Sequence, residues 1–311
     1  MTLAVVIALL VLAVSVAWAV GGRLQGAVWT RSSPGVALFV WHCLAVSLAS
    51  SLFAVVALTT HDTLEHVMLA VPGTQKSQLH AIYAGHFTVG GPWNITAVAM
   101  LVLVLAVVVS AVRTVMSRPG AMLAHHAQTS DVVETTHGTI SVVRHDDPFA
   151  YCVPRRRGRP ARIFVSSGAA ARLEVAELDS VVLHEQAHLT RRHHLHVLVA
   201  EVLVRALRPL RVLSSYADEV RRLVELQADD IACRRTTRRT LASALLTMAA
   251  PPSRVGLAAA ATPTGERVER LIGAPAQGDR FSLLMAVLAG CAAAAPSLAV
   301  VTPALWLVLQ A

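Results

Sequence analysis

Charge is scarce in this chain. Asp, Glu, Lys and Arg make up 15% of its 311 residues, against about 25% in ordinary soluble domains, which excludes one fully solvated domain. Cysteine is scarce as well. Cys43, Cys152, Cys233 and Cys291 stand far apart and form no C-x-x-C pair. Neither a disulfide framework nor a cysteine metal site is expected, which suits a reducing compartment for the central part of the chain. Cys43 and Cys291 lie in apolar runs, where a free thiol behaves as a small hydrophobe. No internal repeat is visible. Against these deficits stand a 55% hydrophobic share, a mean hydropathy of +0.57 and a net charge of +8. A chain both oily and basic must keep its oil and its charge apart.

It does. Of 27 basic residues only Arg23, Arg31 and Lys76 fall outside 113–280, and of 19 acidic residues only Asp62 and Glu65, so this block carries +7 of the +8. Its length is enough to bury a core of its own. Four apolar runs flank it, at about 3–20, 35–58, 95–115 and 281–309. Each is near the roughly 20 residues that cross a bilayer as a helix. Arg113, the one charge among them, can snorkel to the interface. A cleaved signal peptide is the alternative for the first run, given Ala17-Trp18-Ala19, but Met1-Thr2-Leu3 supplies no positive start. The expected division is a membrane domain over 1–117, a catalytic block over 118–280 and a last span over 281–311. Loops 21–34 and 113–280 hold the arginines and loop 59–94 only Lys76. The positive-inside bias then puts the block in the cytoplasm and both termini outside, in a multi-pass protein of the cell membrane.

Within the block, 139–143 and 162–166 are strand-like, with an arginine-rich turn between them. Helical patterning runs from about 175 to 207, ending before Pro209, and again from about 210 to 234. Residues 250–265 read as a connector rich in Ala, Pro, Gly and Thr.

The first long helix contains His184-Glu185-Gln186-Ala187-His188, an H-E-x-x-H string. Residues i and i+4 share a helix face, so two imidazoles can meet one metal ion while Glu185 reaches the attacking water. Catalytic zinc takes three protein ligands, often His₂Glu. The second helix supplies Glu225-Leu226-Gln227-Ala228-Asp229. A returning helix of that length brings Glu225 beside the histidines. Asp229, one turn on, can take the outer N–H of a ligand imidazole. On their own these two carboxylates would read as a solvated face pairing with Arg221 and Arg222; beside H-E-x-x-H they read as part of a site. His193, His194, His196 and Tyr216 read as interface or solvated residues.

H-E-x-x-H followed by E-x-x-A-D resembles the HtpX/CAAX-protease type of gluzincin peptidase, and most closely the BlaR/MecR antirepressor peptidases of membranes. Residues 159–168, containing Arg162-Ile163-Phe164-Val165-Ser166, resemble the family's strand before the active-site helix, and 178–192 resemble that helix. The likeness covers about 145–235; the spans agree only in layout. Together with the four apolar runs, it points to a mainly α membrane protein of four transmembrane helices, with an α+β gluzincin-like metallopeptidase domain between the third and fourth. It implies one Zn²⁺ per chain held by His184, His188 and Glu225, with Glu185 as general base and Asp229 behind the ligands. Strand 162–166 would be the edge to which an extended substrate adds. The β-lactam receptors also carry an extracellular penicillin-binding sensor; this sequence runs to Ala311 without one, so β-lactam recognition is not expected.

The function expected is peptide-bond hydrolysis in a protein substrate, with a transcriptional repressor in a signalling relay as the first candidate. The alternatives are HtpX-like quality control of membrane proteins, or a non-catalytic receptor that keeps a zinc site. The basic runs at 155–162 and 234–239 are expected to contact lipid headgroups of the bilayer rather than nucleic acid.

Overall fold

The structure is a computed structural model, describing residues 7–16, 24, 27–69, 105–106, 108–113, 133–137, 139–155, 160–206, 212–249, 263–273 and 280–309. Helix α1 spans Ile7–Val16. Helices α2 (Val28–Ser32) and α3 (Pro34–Leu69) follow, the latter opening on a proline, whose fixed φ suits a first helical position. Of α3, Pro34–Val55 is long and apolar enough to cross a membrane, alone among the described residues; α1 and Arg280–Pro296 are apolar but shorter. Most of the expected third span, and the loop beyond residue 69, lie outside the described residues.

The central block opens with four strands, β1 (Val133–His137), β2 (Ile140–Val143), β3 (Ala150–Val153) and β4 (Arg162–Ser166). Their order in the sheet is β1-β2-β4-β3. β4 runs parallel to β2 and antiparallel to β3. Strand 162–166 is therefore interior, with both ladders occupied, and cannot be the edge that receives a substrate. The outer strands of the sheet are β1 and β3, and the one strand partner of β3 among the described residues is β4. The sequence marked β4 by its β-branched and aromatic residues, but pairing order is set by the loops, which carry no such signal.

Ile163 and Val165 of β4 point inward and are buried with Ala169, Leu173, Val181 and Ala244. Ser166 ends the strand and caps the next helix, α4 (Ser167–Arg172), by accepting the Ala169 N–H at 3.0 Å. A Cβ on Gly168 would lie 2.1 Å from the Asp146 carbonyl oxygen, so only glycine lets the 144–149 loop close over the strand's end. The loop is fixed there by the Gly168 N–H donating to His145 O at 2.8 Å.

Helix α5 (Val175–Thr190) starts with a capping box between Glu174 and Glu177. The long helix expected over 175–207 is broken: Arg191 and Arg192 turn, and α6 (His193–Ala206) begins afresh. Then come α7 (Val212–Ala232), α8 (Arg238–Ala249), α9 (Pro263–Ile272) and α10 (Arg280–Leu309).

The largest buried cluster crosses residue 117. Trp41, Leu44 and Leu48 of α3 are buried with Tyr216, Val220 and Leu223 of α7, Ala200 of α6 and Ala289 of α10. The apolar helices and α7 thus share one core. A smaller cluster of Ala232, Leu241, Ala242, Val268 and Leu271 seats α9 against α7 and α8.

Candidate metal centre

Helix α5 lies against β3 and β4, and its inner face carries the two histidines. Their rings stand 4.8 Å apart between centroids, at 72°. His184 Nε2 is 3.1 Å from His188 Nε2. Glu225 arrives from α7, its Oε2 3.4 Å from His184 Nε2 and its Oε1 3.4 Å from His188 Nε2. Ligand atoms about 2.1 Å from a tetrahedral zinc stand roughly 3.4 Å from one another. The three donors are therefore spaced as such an ion requires, and His184, His188 and Glu225 could hold one together. Two imidazoles and one carboxylate are also a donor set found in catalytic zinc sites.

Asp229 is fully buried one turn beyond Glu225, and its Oδ1 lies 3.0 Å from His184 Nδ1. Its carboxylate thus accepts the Nδ1–H of His184, whose Nε2 faces Glu225. Arg221 and Arg222 do not take these carboxylates. Arg221 pairs with Asp218 and Glu201, and Arg222 with Glu219 and Glu266.

Arg267, from α9, was not legible in the sequence. Its guanidinium grips Asp229 with two bonds, Nε to Oδ2 at 2.8 Å and Nη2 to Oδ1 at 2.6 Å, and reaches Glu225 Oε2 with Nη1 at 2.9 Å. One cation thus ties the Glu225 carboxylate to that of Asp229. Burial works against charge on all three groups. Yet the bonds to His184 and the nearby Arg267 hold Glu225 at about 2, and the bonds from Arg267 and His184 hold Asp229 below its usual range.

Burial also disfavours a charged His184, but the Asp229 and Glu225 carboxylates outweigh it and lift its pKa to about 9. Burial and the His184 charge push His188 down to about 3. Between the two, His184 carries the proton and His188 accepts. Glu185 lies on the β3 side of α5. Burial raises its pKa, opposed by His184, and the Cys152 thiol of β3 donates to its carboxylate. Glu185 thus touches β3, an outer strand of the sheet.

The histidines after the motif are not one group. His194 is exposed. His193 is buried against His188. His196 lies 2.8 Å from His42 of α3, whose other ring nitrogen is 2.6 Å from the Tyr216 hydroxyl. Tyr216 therefore faces the apolar helices rather than the metal centre.

Residues 118–217 match peptidase family M48. The match takes in the sheet and α5 with its H-E-x-x-H, and it supports a metallopeptidase. It stops short of Glu225 and Asp229, which the packing of α7 on α5 brings to the histidines independently. No curated protein and no solved structure matches the chain.

Proposed function

We propose that the chain is an integral-membrane zinc metalloendopeptidase that hydrolyses peptide bonds of a protein substrate at the centre formed by α5 and α7. The observation that carries this reading is the triangle of His184, His188 and Glu225 donors with Glu185 beside it. A purely structural zinc site favours four closed ligands and has no use for that base, which argues against the non-catalytic receptor.

A zinc ion held there supplies Lewis acidity to the scissile carbonyl and to the attacking water. The chain's own groups do the rest. Asp229 and Arg267 hold His184 and Glu225 in place. Glu185 takes the water's proton and returns it to the leaving amine. Its raised pKa makes it a stronger base than an exposed carboxylate and a better proton carrier for the second step. An extended substrate adds antiparallel to β3, and main-chain pairing draws its carbonyl past Glu185.

The membrane reading is supported by apolar side chains left exposed on α1, α3 and α10, among them Val14, Phe39, Val46, Leu283 and Val287. These would face lipid. The proposed topology has four spans, a cytoplasmic catalytic block bearing basic loops toward the headgroups, and no direct nucleic-acid contact. A regulatory relay, with a repressor as substrate, is the first reading because of the BlaR/MecR resemblance. Quality control of membrane proteins is the second.

Protein N-termini compared between cells carrying the wild type and Glu185→Gln test it. New termini that depend on Glu185 are expected, since losing a general base costs roughly 10²–10⁴-fold in rate. A cleaved DNA-binding protein would assign the relay, and scattered membrane-protein fragments quality control. Undiminished cleavage by the variant would overturn the mechanism.

A further inference from the structure

His193, the first residue of α6, is 1% exposed. Its Nδ1 stands 3.0 Å from His188 Nδ1, and its Nε2 stands 2.9 Å from Gln227 Oε1. The direction of each bond can be worked out from the far end. An amide oxygen only accepts, so His193 carries its proton on Nε2. Its Nδ1 is then bare and accepts. His188 must therefore carry its proton on Nδ1, and His188 Nε2, which faces His184 and Glu225, is left bare. That is the tautomer a metal ligand needs.

Two backbone features make this arrangement possible. In an unbroken helix a residue five positions on lies about 140° around the axis, so His193 could not touch His188. Arg192, at φ 54°, is the one described non-glycine residue in the left-handed region, and it swings α6 back across the end of α5. The second feature is Gly35, at the start of α3. A Cβ there would lie 2.6 Å from the Gln227 amide nitrogen. The Gln227 side chain stands where any larger residue on α3 would push it away.

We infer that His193 is a positioning residue of the metal centre. Held by Gln227, it fixes the His188 ring with Nε2 toward the ion, as Asp229 does for His184. Gly35 belongs to the same device, because the hydrogen it carries leaves room for the Gln227 amide. The inference rests on the zinc-site reading above and extends it to a residue outside the H-E-x-x-H string and to an apolar helix.

The test is Zn²⁺ affinity of the full chain in detergent, by competition with a chromophoric chelator, with the visible spectrum of the Co²⁺ form as second readout. His193→Leu removes the acceptor and is expected to weaken Zn²⁺ binding by roughly 10–100-fold and to shift the Co²⁺ bands. His193→Asn, whose amide oxygen can stand about where Nδ1 stood, is expected to recover most of that loss. Gly35→Ala is expected to weaken binding several-fold by displacing the flexible end of Gln227, with the unfolding temperature of the metal-free chain unchanged. His188→Ala is the control for the site itself. If His188→Ala abolishes binding while His193→Leu and Gly35→Ala bind like wild type, the inference is overturned and the site stands. If His188→Ala binds as tightly as wild type, the zinc-site reading falls and the inference with it. Should His193→Leu fail to fold, Gly35→Ala decides alone, and unchanged affinity in it overturns the inference.

Discussion

His184 holds a proton at neutral pH because two carboxylates, Asp229 and Glu225, outweigh the cost of burying its charge and set its pKa at about 9. Zinc must displace that proton. Metal uptake near pH 7 is therefore expected to release it, and affinity to climb with pH until about 9 and then level off. Calorimetry in buffers of different ionisation enthalpy reads the proton directly. Without metal the same shift has a stability consequence. A raised pKa contributes stability that is full below the unfolded value of about 6.5 and is lost as pH rises through about 9. The metal-free chain should accordingly unfold at lower temperature at pH 9 than at pH 7. Arg267 permits a second prediction. Replacing it by Met leaves Asp229 buried with its principal cation gone, a loss of about 3–5 kcal/mol for a buried pair broken on one side. Thermal unfolding should show it, along with weaker zinc binding. Arg267→Lys should fall between, since an ammonium cannot make the two parallel bonds of the guanidinium fork.

At the scale of elements, the break between α5 and α6 depends on one strained residue. An L-residue in the left-handed region costs about 1–2 kcal/mol, and glycine avoids that at some cost in chain entropy. Arg192→Gly should change stability by less than about 1 kcal/mol and keep zinc affinity. Arg192→Val should cost about 1–2 kcal/mol or more and weaken zinc binding, because a β-branched residue resists φ 54°. Chemical unfolding and chelator competition on the same samples would separate the two effects. This break marks where sequence reading stopped. His184, His188, Glu225 and Asp229 were legible because helix periodicity puts each pair on one face, and a returning helix is the shortest way to join them. The turn at Arg191–Arg192 contains neither glycine nor proline, so periodicity ran straight through it and His193 passed for an interface residue. Strand 162–166 was recognisable as a strand, but its place between β2 and β3 depends on pairings that composition does not encode. Arg267 reaches Asp229 across 38 residues, beyond a connector that reads as featureless, and a lone arginine in a basic block gives no sign of being buried.

At the scale of the whole molecule, catalytic and apolar parts share a core. Tyr216, Val220, Leu223 and Val224 of α7 are buried partly by Trp41, Leu44 and Leu48 of α3. Leaving such side chains exposed costs about 1.5–3 kcal/mol each for the aliphatic ones, a large fraction of a domain's net stability. Residues 118–280 expressed alone should therefore bind a hydrophobic dye and aggregate, and co-expression of 1–117 should rescue both. A soluble, cooperatively unfolding fragment would show that the shared core is dispensable.

The polar contacts around Arg222 carry this coupling to the metal centre. Arg222 bonds Thr30 of α2 at 2.8 Å and Glu266 of α9 at 2.6 Å, while Arg31 of α2 also holds Glu266, at 3.0 Å. Glu266 is the residue next to Arg267, the cation that grips Glu225 and Asp229. The corner where the chain enters its apolar helix is thus geared to the clamp on the ligands. Hydrogen bonds of these lengths do not survive a displacement of an ångström or more. A displacement of that corner would slacken the clamp on Glu225 and Asp229, so the contacts act as a clutch between the apolar helix and the metal centre.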